Sequence, residues 1–235
     1  MNGGIVMSLK SLQIGGAGLL LLALAGCASG GAEQATVAPT PTSTPESSNT
    51  AEASAQLTDE ELAGVFAGLQ FVPAQYADAG ELLGSIYPGL VASDLSCLTP
   101  FGVGWDAAQP DASQAFGASN DRTMTAVVSS VGDDELASEL VTESADALTR
   151  CAQGSDLFTM QGQPVQTQVE TFDAELTGAA ESVAFRVTGD VGGSAFTLVG
   201  MTARVGGNVV ALVGWDPATN ETYVPVASQM FVDAL

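Results

Sequence analysis

Carboxylates and tyrosines must carry whatever acid–base chemistry this chain performs, because it contains no histidine. That absence excludes Ser-His-Asp and Cys-His nucleophiles and His-ligated zinc. Asp216 and Glu221, in the segment WDPATNE, are the acid pair to test for glycan hydrolysis, which needs two carboxyl groups roughly 5 to 9.5 Å apart. Structural roles explain the same pair more simply, with Asp216 as a turn residue and Glu221 as an acid at the start of a helix. We therefore predict that the protein is not an enzyme and has no metal site and no cofactor.

The first 26 residues have the layout of an export signal, with no acidic residue, one lysine and an apolar run at 14–25 that is too short to span a bilayer. The run ends in LAGC at residues 24–27, which resembles the lipobox of bacterial prolipoproteins, where small residues precede the cysteine that is diacylated before cleavage. An ordinary secretory signal or a short anchor helix is the alternative. We expect residues 1–26 to be removed and lipid on Cys27 to hold the protein on the extracytoplasmic face of the cell membrane.

Residues 27–56 form a polar linker in which Val37 is the only large apolar residue. Such a segment cannot bury enough apolar surface to offset the entropy of ordering. We expect a disordered tether with a mean span of roughly 30 Å. Hydrophobic periodicity begins at Leu57, so residues 57–235 are predicted to form a single domain. Translation from Met7 instead of Met1 would leave the mature protein unchanged.

The chain is strongly acidic, with 27 acidic residues against five basic ones and a formal net charge of −22 at pH 7. Affinity for nucleic acid depends on clustered Lys and Arg, which excludes nucleic acid as a partner. The acidity can attract cations or basic partners, or can simply give a solvated surface that resists aggregation, and we favour the second interpretation. Removal of the export signal also removes Lys10, the only lysine, which excludes Ser-Lys dyads and Schiff bases.

Cys97 and Cys151 remain as a pair once Cys27 is lipidated. In an oxidising compartment such a pair is expected to form a disulfide. The closed loop would stabilise the fold by roughly 4 kcal/mol. The alternative is a redox or catalytic cysteine, which the absence of a CxxC motif and of histidine disfavours.

Two helices are predicted in the first part of the domain. Thr58 and Glu61 form a capping box, followed by apolar residues at helical spacing (Leu62, Val65, Phe66 and Leu69). A second helix is predicted over 76–86, with a buried stripe of Leu82, Leu83 and Ile86. Residues 94–121, which include Cys97, are predicted to be irregular.

A strand and a long helix follow. Residues 123–129 alternate and are rich in β-branched residues, which predicts a strand. Asp133, Asp134 and Glu135 come next, and negative charge there stabilises a helix N-terminus; a metal site is the alternative, and we favour the helix dipole. The helix is predicted to end near Arg150 and to bury Leu136, Leu140, Ala147, Leu148 and Cys151.

The last part of the chain predicts an antiparallel meander and a final helix. After a predicted loop at 154–164, alternating segments lie at 165–172, 182–188, 196–204 and 208–215, separated by glycine turns. A helix over 223–235 is predicted to start near Pro225 and to bury Val226, Met230, Phe231 and Leu235. The fold class is therefore α+β, one antiparallel sheet of about five strands with helices packed on it and one disulfide.

The order of these elements resembles the extracellular sensor domains of mycobacterial PknH-type kinases, related forms of which occur as free lipoproteins in actinobacteria. The resemblance covers residues 60–235 and depends on the early cysteine in SDLSCLTP, the cysteine at the helix end and the last strand, NVVALVGW, before an amphipathic helix. Members of that family commonly carry two disulfides, whereas this chain can form one. The resemblance implies a sheet with a ligand-binding cleft and supplies no active-site residue.

The function expected from the sequence is a ligand-binding or sensing module of the cell envelope, which captures a small molecule, a lipid or an envelope glycan. Trp105, Trp215, Tyr76 and Tyr87 are the candidate cleft residues, although aromatic residues of this kind are more often core. A docking protein of an envelope complex is the first alternative, and a carboxylate-based glycan hydrolase is the second.

Overall fold

The computed structural model describes residues 55–73, 76–86, 89–216 and 220–235. The predicted export signal, Cys27, the linker up to residue 54 and Tyr87 lie outside the described residues. No helix in the described ranges combines the length and apolarity that crossing a membrane requires.

The described residues form one nine-stranded antiparallel sheet with the strand order β1-β3-β4-β9-β8-β7-β6-β5-β2. The strands are β1 (Phe71–Pro73), β2 (Leu90–Ala92), β3 (Ser113–Ser119), β4 (Met124–Ser130), β5 (Gln153–Met160), β6 (Gln163–Phe172), β7 (Glu181–Val191), β8 (Ser194–Val205) and β9 (Asn208–Gly214). The α+β class and the single antiparallel sheet are confirmed.

The predicted number of about five strands is wrong, because β1, β2, β3 and β5 were not predicted. β1 and β2 have three residues each, too few for a period to be visible. β3 lies in the segment predicted to be irregular and consists mostly of small and polar residues. β5 occupies much of the predicted loop, and an irregularity in its pairing between Gly154 and Phe158 interrupts the alternation.

Five helices are described, namely α1 (Asp59–Gly68), α2 (Ala79–Ile86), α3 (Trp105–Ala108), α4 (Asp134–Arg150) and α5 (Asn220–Ala234), with 3-10 turns at Leu95–Cys97 and Thr99–Phe101. The capping box of α1 is present as predicted, and Leu62 and Phe66 are buried. Asp133 caps α4 by accepting hydrogen bonds from the backbone of Glu135 and Leu136. The second predicted helix begins at Ala79, three residues later than predicted.

Helices cover both faces of the sheet. One hydrophobic core joins the sheet to α4, the 3-10 turns and Trp105, and the other joins it to α1 and α5. The interior strand β9 is buried along its whole length, with Val209, Ala211 and Val213 in the first core and Val210 and Leu212 in the second. Both cores consist of residues from 57 onwards, so residues 55–235 contain the elements of an independently folding domain.

Three residues predicted to be buried on helices are exposed. Leu136 of α4 has an exposed fraction of 37%, and Val226 and Met230 of α5 have 56% and 44%. α4 instead buries the stripe that contains Ala137, Leu140, Val141, Ser144, Ala147 and Leu148. α5 starts before Pro225 and buries Val224, Ala227, Ser228, Phe231 and Val232, a face on the opposite side from Val226 and Met230.

The disulfide between Cys97 and Cys151 is formed, as predicted, with 5.8 Å between the two Cα atoms. It joins the C-terminal end of α4 to the first 3-10 turn. Arg150 reinforces this connection, because its guanidinium donates a hydrogen bond to the carbonyl oxygen of Ser96.

Candidate functional site

An apolar cavity of about 300 Å³ lies at one end of the sheet. Its lining comes from four strands and from the residue that follows β9. The lining residues are Leu90 of β2, Phe158 and Met160 of β5, Val191 of β7, Ser194, Ala195, Phe196 and Leu198 of β8, and Trp215. Most of these side chains also belong to, or pack against, the core that contains α4, so the cavity is an extension of that core.

Curvature of the sheet creates the cavity. β2 and β8 are separated by three intervening strands. Neighbouring strands lie about 4.8 Å apart, so in a flat sheet β2 and β8 would be about 19 Å apart. Residues of both strands line the same cavity of about 300 Å³. The sheet therefore curls around this space, as the twist of antiparallel sheets allows.

Two tight turns position the lining residues. Gly192 and Gly193 connect β7 to β8 with φ values of 62° and 87°, a conformation that glycine adopts without a steric penalty. The carboxylate of Asp190 accepts a hydrogen bond of 2.7 Å from the backbone N–H of Gly193. This turn sets Val191 opposite Ser194 in the β7–β8 pairing.

The second turn, between β5 and β6, also uses positive φ angles, 52° at Gln161 and 78° at Gly162. The backbone N–H of Gln161 donates a hydrogen bond of 2.9 Å to the carbonyl oxygen of Gly89. This bond extends the pairing of β2 with β5, in which Leu90 lies opposite Met160. Both of these residues therefore reach the cavity.

Trp215 forms a fixed wall of the cavity. Its side chain is buried, and the indole N–H donates a hydrogen bond of 3.0 Å to the hydroxyl of Thr125. Its backbone N–H donates to the carbonyl oxygen of Thr123, and its ring lies 6.2 Å from that of Phe101. Because the indole N–H already has an acceptor, Trp215 presents an apolar surface to the cavity.

The four aromatic residues predicted for a cleft do not come together. Trp215 lines the cavity, but Trp105 is buried in the core. Tyr76 lines a different, more polar groove together with Arg122, and Tyr87 lies outside the described residues. The aliphatic and phenylalanine lining residues were missed because their sequence pattern is that of ordinary core residues.

Among the described residues, the lining of the cavity contains no group that suits acid–base catalysis. Of the lining residues that the structure describes, Ser194 contributes the one polar side chain besides the engaged indole of Trp215. The candidate acids Asp216 and Glu221 are both absent from the lining. Glu221 instead accepts a hydrogen bond from Arg186, whose guanidinium also lies 3.7 Å from Glu170. The cavity lining can exclude water and bind the apolar surface of a ligand.

In the described part of the chain, the carboxyl groups with clearly shifted pKa values lie at turns and helix starts outside this cavity. Hydrogen bonds from Thr58 lower the pKa of Glu61, and hydrogen bonds from Ser96 lower that of Asp94. A hydrogen bond from Ser119, followed by others from Thr123, lowers the pKa of Asp121. A general acid would need a raised pKa, so these shifts indicate local structural roles.

The chain is similar to the crystal structure of the extracellular domain of PknH from Mycobacterium tuberculosis. The sequence identity is 12% and the TM-score 0.45, and the match covers 77% of this chain and 93% of the other. The predicted resemblance to the sensor domains of PknH-type kinases is thereby confirmed. At this identity the comparison assigns no ligand to the chain. No protein-family model matches the chain, and no curated protein matches it significantly.

Proposed function

We propose that this protein is a non-catalytic binding module of the cell envelope that holds a small apolar molecule in the cavity beneath the β7–β8 turn. The observation that carries the proposal is the composition of the lining, which among the described residues is apolar apart from the hydroxyl of Ser194 and the engaged indole N–H of Trp215. Burial of apolar surface stabilises a complex by about 25 cal/mol per Å². The cavity has the chemistry to bind through that effect alone.

The same lining disfavours an envelope glycan, which is one of the ligand classes expected from the sequence. Each sugar hydroxyl that enters a site without a hydrogen-bond partner costs about 1 to 3 kcal/mol. Ser194 could satisfy one such group. A cavity of about 150 Å³ holds one benzene ring, so about 300 Å³ accommodates roughly two rings or an alkyl chain of similar volume.

A binding assay with the uncharged naphthalene dye prodan tests the proposal on residues 55–235. Dye emission should rise on binding, and Val191→Trp should weaken the affinity at least about tenfold, because the indole would occupy the cavity. Val226→Trp is the matched control, since Val226 is exposed on α5 and is not among the lining residues. Equal affinity in both variants, or no binding to the unmodified domain, would refute the proposal.

Membrane attachment through lipid on Cys27 is the second part of the proposal. Its support is the LAGC sequence at residues 24–27 and the disulfide, since disulfides persist in oxidising compartments outside the cytoplasm. Cell fractionation of the full chain should find the protein in the membrane fraction, and Cys27→Ser should abolish its lipid-dependent gain in mass. Cys97→Ser retains Cys27 and serves as the control. An unmodified N-terminal peptide in the wild type would refute the anchor.

A further inference from the structure

All four arginines of the described ranges are held by partners away from the cavity lining. Arg122 donates to the carbonyl oxygen of Ser85, and Arg150 pairs with Glu143. The other two pairings are those of Arg186 with Glu170 and Glu221, and of Arg204 with Glu181 and Asp134. None of the four belongs to the cavity lining, so an anionic group bound there would find no cation among them.

Two acidic residues, in contrast, are sequence neighbours of lining residues. Asp190 lies next to Val191 and closes the β7–β8 turn, and Asp216 directly follows Trp215. Three of the chain's 27 acidic residues (Glu33, Glu46 and Glu52) lie outside the described ranges, which leaves 24 acids against four arginines. This excess of negative charge produces a field that repels anions from the whole domain.

The mouth of the cavity is the place where a polar headgroup would lie. Ser194 and Ala195 are exposed and adjoin the turn, whereas Leu198, Phe158 and Trp215 are buried deeper in the cavity. The Ser194 hydroxyl can both donate and accept a hydrogen bond, which suits an uncharged headgroup. A carboxylate or phosphate there would lose hydration without gaining a charged partner.

We propose that the ligand is an uncharged or cationic amphiphile with a small apolar tail, and that the cavity discriminates against anionic amphiphiles such as fatty acids. This inference depends on the proposed function, since it specifies the headgroup of the molecule that the cavity takes up. Discrimination arises from the absence of a compensating cation at the mouth and from the negative field of the domain. The tail binds in the same way whichever headgroup it carries.

A competition series with matched tails tests the inference on residues 55–235. The assay measures how well three competitors displace bound prodan at pH 7, namely 1-decanol, decyltrimethylammonium and decanoate. The ionic strength is low, about 10 mM, because charges then act over roughly 30 Å. Decanoate should compete at least about tenfold more weakly than 1-decanol, and the difference should shrink at high salt. Decyltrimethylammonium should compete at least as well as 1-decanol.

A charge variant at the mouth separates a local effect from the overall field. Ser194→Lys should raise the affinity for decanoate several-fold relative to the affinity of the same variant for 1-decanol. Thr142→Lys is the matched control, because it adds the same charge on the exposed face of α4, outside the lining. It should change decanoate binding less than Ser194→Lys does.

The outcomes distinguish this inference from the function on which it depends. If prodan and 1-decanol bind and decanoate competes equally well or better at low salt, the headgroup inference is wrong and the apolar binding function stands. If the two lysine variants have equal effects on decanoate, the local part of the inference is overturned. If none of these molecules binds, the proposed function and the inference fail together.

Discussion

Asp121 stabilises the turn between β3 and β4 with a single carboxylate oxygen. Its Oδ1 accepts hydrogen bonds from the hydroxyl of Ser119 at 2.6 Å, and from the hydroxyl and backbone N–H of Thr123 at 2.8 and 3.1 Å. These donors favour the charged form and hold the pKa of Asp121 below its usual value. Arg122 in the same turn has a positive φ of 59°, a backbone conformation that is unfavourable for a residue other than glycine. The hydrogen bonds to Asp121 stabilise the turn in this conformation.

Replacement of Asp121 should therefore lower the free energy of unfolding by an amount that depends on pH. Hydrogen bonds to a charged acceptor are stronger than those to a neutral one, and this site is exposed, so Asp121→Asn should lower the free energy of unfolding by about 1 kcal/mol at pH 7. In a domain of this size that corresponds to about 3 °C in Tm. Because the folded-state pKa is lowered, the contribution is present above the unfolded-state pKa of about 3.9 and is lost as the pH falls through the folded-state value.

Thermal unfolding of both proteins between pH 7 and pH 2 measures this dependence. The difference in Tm should narrow below about pH 4, as Asp121 becomes protonated in the wild type. Asp146→Asn on the exposed face of α4 is the control for the loss of one negative charge. A difference in Tm that stays constant down to pH 2, or an equal effect of the two variants at pH 7, would contradict the role assigned to Asp121.

At the scale of elements, the features predicted correctly from the sequence are those determined by neighbouring residues. The capping box of Thr58 and Glu61 involves residues three positions apart, and the acids at the start of α4 act on their own helix. β7 and β8 have 11 and 12 residues, long enough for a period of two to be visible in the sequence. Local patterns therefore predicted these elements, including their approximate ends.

The missed strands depend on partners distant in sequence. β1 pairs with β3 across more than 40 residues, and β2 pairs with β5 across more than 60. Three-residue strands have no period of their own and exist because a longer neighbour offers unpaired backbone groups. α5 shows a related error, because Pro225 suggested a helix start and shifted the predicted buried face away from Val224 and Val232. The proline lies inside the helix instead.

The cavity could not be predicted from the sequence for the same reason. Trp215 was named from its residue type, but Leu90, Met160 and Val191 reach it only because the sheet curls and two glycine-containing turns close its end. Residues 90 and 191 are about 100 positions apart in the chain. No local pattern distinguishes an aliphatic residue that lines a cavity from one that fills a core.

For the whole molecule, the disulfide is the covalent link between distant parts of the fold. Cys97 and Cys151 are 54 positions apart, and between them lie α3, β3, β4 and α4. The cavity lining lies outside this loop, in β2, β5, β7, β8 and Trp215. Loss of the disulfide should therefore reduce the stability of the domain much more than the affinity of the folded form for its ligand.

Chemical denaturation of the Cys97→Ala/Cys151→Ala double variant tests this separation. A loop of this length implies a loss of about 4 kcal/mol in the free energy of unfolding, because the unfolded chain regains the entropy that the link removes. Wild-type protein under reducing conditions is the control and should lose a similar amount, since it lacks the link but retains both side chains. Affinity for prodan, measured where both proteins are folded, should change less than about threefold. A loss of stability below about 1 kcal/mol would contradict the role of the disulfide in restricting the unfolded chain. Affinity lost in a variant that is still folded would show that the disulfide shapes the cavity.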